Sequence, residues 1–152
     1  MVFPLPAPMR LALDAAAQAA ASGEVPVGAV IMRGVDVIAV AANATRAGND
    51  PTAHAEIVAI RMACSILGTD RLSDCELWVT LEPCAMCAGA IAHARIPRLF
   101  YAAADPKGGG VEHGSRVFSH STCHHSPTVT SGLGEREAAA LLRNFFGERR
   151  GK

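Results

Sequence analysis

The sequence predicts an α/β fold in which helices cover both faces of a mixed sheet of about five strands. Short runs rich in β-branched residues alternate with alanine-rich segments long enough to form helices, which is typical of this fold class. The strand predicted over residues 25–32 is apolar almost throughout, as expected of a sheet that is covered on both faces. A tight turn early in the chain predicts an antiparallel hairpin, and the later strand-helix-strand order requires a parallel crossover, so the sheet is mixed.

The individual elements follow from hydrophobic periodicity and from helix and turn signals. The predicted helices cover residues 9–22, 53–67, 84–94 and 134–150. The predicted strands cover residues 25–32, 35–40, 76–80, 98–102 and 128–130. Residues 1–8, with their three prolines, are predicted to be a loose lead-in. Because no internal repeat and no linker divides the chain, we expect a single domain over residues 1–152.

A few residues define the ends of these elements. Gly23 and Gly68 are predicted to end the first two helices, because glycine is favoured just after a helix C-terminus. Residues 33–34 predict the tight turn of the hairpin. Thr52 is predicted to cap the start of the second helix. Pro83 is predicted to start the third, since proline is tolerated in the first turn of a helix.

Apolar stripes predict which side of two helices faces the core. In the second helix the stripe consists of Ile57, Ile60, Cys64 and Leu67. In the last helix the predicted inward residues are Ala138, Leu141, Leu142, Phe145 and Phe146. Residues 105–126 show no clear period, so we expect a long loop with at most one helical turn, and loops of this length are often functional.

Composition and charge exclude several classes of protein. Lysine plus arginine and aspartate plus glutamate each number 14, which gives a formal net charge of zero and argues against a nonspecific electrostatic nucleic-acid binder. Half of the residues are hydrophobic, as in globular proteins. Five cysteines, an odd number, fit reduced thiols better than a disulfide framework. Asp14 and Gln18 interrupt the alanine-rich segment that could resemble an export signal, and no run approaches the roughly 18 apolar residues of a membrane span. We therefore expect a cytoplasmic protein with no membrane association.

The chemistry concentrates in a His-x-Glu motif and a Pro-Cys-x-x-Cys motif. His54, Cys84 and Cys87 provide one nitrogen and two sulfurs, a donor set suited to tetrahedral zinc. Three protein ligands leave the fourth position to a water molecule, which is the pattern of catalytic zinc sites. Glu56 lies two residues after His54, where its carboxylate can take a proton from that water and pass it to a leaving nitrogen. These residues predict a zinc-dependent hydrolytic reaction.

The two motifs together resemble the signature of the zinc nucleobase deaminases. Further segments resemble the bacterial tRNA-specific adenosine deaminases, within the cytidine/deoxycytidylate deaminase superfamily. The similar segments are residues 24–30, 50–56, 79–90, 105–109 and 141–146. The resemblance implies a three-layer α/β/α deaminase fold, one zinc ion per subunit and a homodimer. It also implies that the wobble adenosine of a tRNA anticodon loop is converted to inosine.

The resemblance further implies which residues contact the RNA. Asn43 is expected to contact the flipped-out nucleotide. The residues expected to help hold the anticodon stem-loop are Asp105, Lys107, Phe145, Phe146 and Arg149. One departure is Ala104, where relatives often carry arginine. Independently of the resemblance, the C-terminal end combines two adjacent aromatic rings with several basic residues, Lys152 among them, which suits stacking and phosphate contacts with a single-stranded loop.

The motifs are compatible with two other functions. A deaminase of free guanine, cytosine or a small nucleoside would use the same metal chemistry. A catalytically silent zinc-binding subunit is a third possibility, although it would be expected to lack the carboxylate of Glu56. Several residues also have ordinary structural interpretations: Phe145 and Phe146 as core residues, and the basic end as a solvated helix terminus. We expect no second metal site in the Cys-His-His run at residues 123–125.

Overall fold

The computed structural model describes residues 4–150. The helices are α1 (Ala7–Ala21), α2 (Ala55–Leu67), α3 (Ala85–Ala94) and α4 (Glu135–Arg150). The strands are β1 (Gly28–Arg33), β2 (Asp36–Ala42), β3 (Glu76–Leu81), β4 (Arg98–Ala103) and β5 (Thr128–Ser131). A single 3-10 turn, Val117–Ser119, lies in the long loop between β4 and β5, where at most one helical turn was expected. Residues 1–3 of the predicted lead-in, and Lys152 of the basic end, lie outside the described residues.

The five strands form one mixed sheet in the order β2-β1-β3-β4-β5. Strand β1 pairs antiparallel with both β2 and β3, whereas the β3–β4 and β4–β5 pairs are parallel. The first two strands form a hairpin whose turn lies at residues 34–35, one position later than predicted. Helix α3 makes the parallel crossover from β3 to β4, and the short β5 lies at an edge. The predicted mixed sheet of five strands is confirmed.

Helices cover both faces of this sheet. On one face α2 and α3 pack over a large apolar cluster that includes Ala59, Ile91 and Leu77. On the other face α1 packs beside α4 over a smaller cluster that includes Met9 and Ala138. Helix α1 rests directly on the backbone of β1, since a Cβ atom on Gly28 would lie 1.9 Å from the Ala12 carbonyl oxygen. The predicted three-layer arrangement is therefore confirmed.

Two predicted helix starts are wrong, and both for local reasons. Thr52 does not cap α2, because its backbone N–H and hydroxyl donate instead to the Asp50 carboxylate, at 2.9 and 2.7 Å. The capping position belongs to His54, which is extended. Likewise α3 begins after Cys84, whose carbonyl accepts the N–H of Ala88, so Pro83 lies outside the helix. The consequence is that a candidate metal ligand occupies the capping position of each helix.

The inward faces of α2 and α4 also differ from the prediction. The deepest residues of α2 include Ala55, Ala59 and Ala63, whose small side chains allow the helix to approach the sheet closely. The residues of the predicted stripe are only half-buried: Ile57, Ile60, Cys64 and Leu67. In α4, Phe145 is buried but Phe146 is 42% exposed. Successive residues point about 100° apart around a helix, so only one of the two rings faces the core.

The described helices and cysteines bear on two further expectations. None of the helices within residues 4–150 has the length and apolar character needed to cross a membrane. All five cysteines are free thiols. Cys75 is fully buried and Cys64 packs at the edge of the larger apolar cluster, so both act as small core residues.

Candidate metal centre and active site

Three ligand atoms converge where α2 and α3 begin. The Nδ1 atom of His54 lies 3.6 Å from the sulfur of Cys84 and 3.5 Å from the sulfur of Cys87. Strands β2 and β3 run in the same direction because both pair antiparallel with β1. Their carboxyl ends therefore lie at the same edge of the sheet, and the helix that follows each strand begins there. The sheet topology thus brings together two motifs that are about 30 residues apart in sequence.

The spacing of these atoms fits a zinc ion. With Zn–N near 2.0 Å and Zn–S near 2.3 Å, ligand atoms at the corners of a tetrahedron lie about 3.6 Å apart. Within residues 4–150, no other group of three or more histidine, cysteine or acidic side chains has comparable geometry. In the run at residues 123–125, the thiol of Cys123 contacts the His125 carbonyl and the His125 ring contacts the Ile96 carbonyl.

The two thiols of the cluster are chemically unequal. The Cys84 sulfur accepts a hydrogen bond from the Cys87 thiol, and this contact, opposed by partial burial, lowers the pKa of Cys84 to about 5. The same shared proton, together with burial, raises the pKa of Cys87. One thiolate therefore forms readily at neutral pH, and a bound cation would be needed to displace the second proton. This is the behaviour of a pair of cysteines suited to binding a metal.

The carboxyl group of Glu56 lies beside the ligands in the first turn of α2 and is only 4% exposed. Burial raises the pKa of Glu56 to about 7, and the hydrogen bond from its own backbone N–H only partly opposes this effect. A carboxyl group with a pKa near neutrality can both accept and release a proton during a reaction. Glu56 therefore has the position and the proton affinity of a proton carrier.

A cleft of about 290 Å³ opens over the ligands. Its lining residues include His54, Glu56, Cys84, Asn43 and Asp105. Asn43 directly follows β2, and Asp105 follows β4. Of the predicted RNA-contacting residues, these two lie at the cleft, while the exposed Lys107 lies next to it on the loop after β4. The structure thus brings two of the predicted contacts together with the metal ligands.

The three predicted contacts on α4 lie elsewhere and are not among the residues lining the cleft. Phe145 is 7% exposed, and its ring meets that of Phe146 edge-on with 5.4 Å between centroids. The Arg149 guanidinium lies 4.4 Å from the Phe145 ring centroid and donates to the Gly23 carbonyl at 2.8 Å. Phe145 and Arg149 therefore attach α4 to the end of α1, and Phe146 presents an exposed ring.

The sequence predicts no role for two buried glutamates near the cleft. Glu24, 6% exposed, accepts the backbone N–H groups of Arg46 and Ala47 at 3.3 and 2.8 Å. Glu82, 2% exposed, accepts hydrogen bonds from the loop after β4. Burial alone would raise the pKa of Glu82, but the hydrogen bonds, led by the Asp105 N–H, lower it. The sequence offers one signal for Glu24 and Glu82: each lies next to an apolar run. A charged side chain that is buried beside such a run is normally paired, so both residues could be expected to have partners.

Comparison with known proteins adds family relationships to this geometry. The family model "Cytidine and deoxycytidylate deaminase zinc-binding region" matches residues 6–103, which include all three candidate ligands and Glu56. A protein of Agrobacterium fabrum (strain C58) named tRNA-specific adenosine deaminase is 58% identical over 142 residues. That alignment covers 93% of this chain and 93% of the relative.

Solved structures resemble the whole fold. A chain from a study of A-to-I editing by tRNA:A34 deaminases at the wobble position of transfer RNA superimposes with a TM-score of 0.88 at 58% identity. The match covers 89% of this chain and 98% of that one. Guanine deaminase from Nitrosomonas europaea superimposes with a TM-score of 0.77 at 28% identity, covering 97% of this chain and 87% of that enzyme.

Proposed function

Since this chain belongs to the cytidine and deoxycytidylate deaminase zinc-binding family, we propose that it deaminates the wobble adenosine of a tRNA anticodon loop. The products are inosine and ammonia. One observation carries the proposal: the buried carboxyl of Glu56 lies beside three zinc-type ligands at a cleft. The choice of substrate is supported by the tRNA-specific adenosine deaminases that the chain resembles over nearly its whole length.

The proposed mechanism assigns the proton transfers to Glu56. His54, Cys84 and Cys87 would hold the zinc ion, which would supply the Lewis acidity that makes a water molecule reactive at neutral pH. Glu56 accepts a proton from the attacking water as the water oxygen bonds to C6 of adenine, and delivers that proton to N1. Glu56 then moves the proton of the new C6 hydroxyl to the amino nitrogen. The C–N bond breaks, ammonia leaves, and C6 keeps the oxygen as the carbonyl of inosine.

The RNA must present its base outside the helical stack, because the reacting atom is otherwise out of reach. We propose that Asn43, at the cleft, contacts the flipped-out nucleotide. The residues proposed to hold the anticodon loop are Asp105, Lys107, Phe145, Phe146 and Arg149. The exposed ring of Phe146 and the exposed Lys107 support direct contacts, since stacking and phosphate contacts both require accessible side chains. The buried Phe145 would contribute by supporting the Phe146 ring, which it meets edge-on.

The decisive experiment offers the enzyme several substrates in parallel. The purified protein is incubated with an anticodon stem-loop that carries a wobble adenosine, and separately with free guanine, cytidine and adenosine. Ammonia and inosine are measured. We expect inosine in the stem-loop and no turnover of the free compounds. Turnover of a free base or nucleoside alone would contradict the tRNA assignment while leaving the deaminase chemistry in place.

A deaminase of free guanine is the second candidate, because the fold also matches a guanine deaminase closely at lower identity. The two candidates differ in their relation to RNA. A tRNA enzyme should bind the stem-loop with an affinity that falls as salt concentration rises, since phosphate contacts release counterions. A free-base enzyme should show no such binding.

The oligomeric state and location are further parts of the proposal. We propose a homodimer of single-domain subunits in the cytoplasm. Met62 and Ile66 of α2 and Met86 of α3 leave apolar side chains 38%, 62% and 38% exposed, which supports a partner surface there. A tRNA substrate and five free cysteines support the cytoplasm. Light scattering after size-exclusion chromatography should report a dimer for the wild type and a monomer for Ile66→Glu.

A further inference from the structure

We propose that Glu82 is a positioning residue that fixes residues 105–113, here called the cleft loop, onto the turn that carries the metal ligands. The inference rests on the proposed function, because the cleft loop matters to the reaction only if RNA enters the cleft. It assigns to Glu82 an effect on substrate binding and not on proton transfer. Three sets of contacts carry it.

The first set is formed by the carboxylate of Glu82, whose side chain is fully buried. One oxygen accepts the backbone N–H of Asp105 at 3.0 Å and contacts the His113 ring nitrogen at 2.7 Å. The other oxygen accepts three successive backbone N–H groups, from Val111, Glu112 and His113, at 3.2, 2.9 and 3.0 Å. A single side chain therefore joins both ends of the cleft loop.

The second set fastens the middle of the loop to the same strand end. The N–H of Gly110 donates to the Pro83 carbonyl at 2.8 Å, directly before the ligand Cys84. Gly109 lies so close to Glu82 that an added Cβ would be 2.5 Å from its carboxyl carbon and equally near the Asp105 carbonyl oxygen. Only glycine fits at this position. The cleft loop is thus packed as one unit with residues 82–84, the turn between β3 and α3 that contains the ligand Cys84.

The third set links the loop to the cleft. Asp105 and Gly108 line the cleft, and the Asp105 carboxylate accepts the N–H groups of Lys107 and Gly108 at 3.2 and 2.9 Å. The orientation of Asp105 and Lys107 therefore depends on the conformation of the cleft loop. Glu82 also borders the cleft, but its side chain is fully buried and both of its oxygens are engaged by the loop, so the carboxylate does not reach a substrate. Its influence on the reaction must pass through the loop.

The substitution Glu82→Gln tests this role with almost no change in volume. Whichever way the amide turns, its NH₂ group faces backbone N–H donors, so contacts to the cleft loop are lost. We expect hydrogen exchange of the cleft-loop amides to accelerate about tenfold, while the amides of α2 keep the wild-type rate. We expect KM for the anticodon stem-loop to rise about tenfold with kcat within about threefold of wild type. Zinc content should stay at the wild-type level.

The matched control is Glu76→Gln, the same substitution on the same strand. Glu76 pairs at the surface with Arg98 and has no contact with the cleft loop, so neither loop exchange nor KM should change. Unchanged loop exchange in Glu82→Gln would overturn the inference, as would a loss in kcat at constant KM. Hydrogen exchange is measured without substrate. If the wild type fails to deaminate the stem-loop, the proposed function fails while the structural role of Glu82 is still decided.

A second variant keeps the inference open to refutation if Glu82→Gln does not fold. In Gly109→Ala the added methyl group pushes the loop away from an intact Glu82 carboxylate. We expect the same acceleration of loop exchange and the same rise in KM. Gly89→Ala is its control, because a Cβ atom there meets nothing within 4 Å. Wild-type exchange and wild-type KM in Gly109→Ala would refute the role of the loop attachment.

Discussion

The side chains of the metal centre are positioned by buried backbone. The proposed RNA contacts at the end of α4 are instead positioned by a few contacts near the surface. His54 and Cys84 are the capping residues of two helices packed on the sheet. Cys87 is fully buried and Glu56 nearly so. At the end of α4, by contrast, Phe146 is 42% exposed.

The difference fits the roles proposed for the two regions. Proton transfer and metal binding require atoms fixed to within a fraction of an ångström, which packing against a sheet provides. An RNA loop is itself flexible, so a side chain that stacks on it gains little from being fixed in advance. Substitutions at the metal centre should therefore act mainly on turnover. Substitutions at the end of α4 should act on affinity or on stability, depending on which way each side chain points.

The largest effect is expected from removing a metal ligand. In Cys87→Ala we expect zinc content to fall close to zero and turnover to become undetectable, because two remaining ligands do not hold the ion. Metal analysis and the stem-loop assay measure both. Cys64→Ala, which removes a half-buried thiol outside the centre, is the control and should keep its zinc. Full zinc occupancy in Cys87→Ala would exclude this residue as a ligand.

The next largest effect is expected from Glu56→Gln. The amide keeps the shape of the side chain but cannot carry the proton, so turnover should fall by about 10²–10⁴-fold. Zinc content should remain at the wild-type level, which separates this variant from a ligand variant. Equal and negligible turnover in wild type and variant would instead favour the catalytically silent subunit.

A smaller pair of effects should distinguish the two adjacent rings of α4. Phe145→Ala removes a buried ring and should lower the free energy of unfolding by about 3 kcal/mol. Phe146→Ala removes an exposed ring and should change stability by less than about 1 kcal/mol. If Phe146 stacks on a base, its loss should weaken stem-loop binding by about 5- to 100-fold. Denaturant unfolding measures the stability of both variants, and titration with the stem-loop measures its affinity. Equal losses of stability in the two variants would contradict the assignment of Phe145 to the core and Phe146 to the surface.

The smallest effect is expected from removing the ion pair between Arg10 of α1 and Glu137 of α4. Both side chains are 45% exposed, so the pair should contribute less than about 1 kcal/mol. The hydrogen bond from Arg10 lowers the pKa of Glu137 below its ordinary value of 4.5. The contribution is therefore present at neutral pH and is lost as the pH falls through that lowered value. The free energies of unfolding of Glu137→Gln and wild type should differ slightly at pH 7 and converge in acid, once the pH lies below the lowered pKa of Glu137. A difference that widens in acid would contradict this sign.

The metal centre was predictable because ligand chemistry restricts the residue types and helix starts restrict their spacing. The candidate ligands and Glu56 all lie within three residues of the predicted starts of the second and third helices, residues 53 and 84. The capping residues themselves were misassigned, since Thr52 is diverted by a hydrogen bond to Asp50 that no periodicity reveals. Phe146 belongs to the apolar stripe of α4, which predicts a core position, but its ring is 42% exposed.

The buried glutamates were beyond the reach of the sequence pattern for a different reason. The donors to Glu82 come from residues 23 to 31 positions later, in a loop without periodicity. Those to Glu24 lie 22 and 23 positions later, across the β1–β2 hairpin. A local pattern shows that such a carboxylate is unusual but not which backbone groups it accepts. These loops reach the carboxylates only when the strands have assembled into the sheet.

The position of β1 between β2 and β3 determines the order in which the chain can fold. The β1–β2 hairpin closes through a two-residue turn, a local event on a microsecond scale. Strand β3 must then find β1, pairing residues as far apart as Ala29 and Val79. Only this second, slower step brings His54 beside the cysteines. During refolding we expect the fluorescence of Trp78 on β3 to change before a chromophoric indicator reports zinc uptake; uptake that precedes the Trp78 signal would rule out this sequence of events.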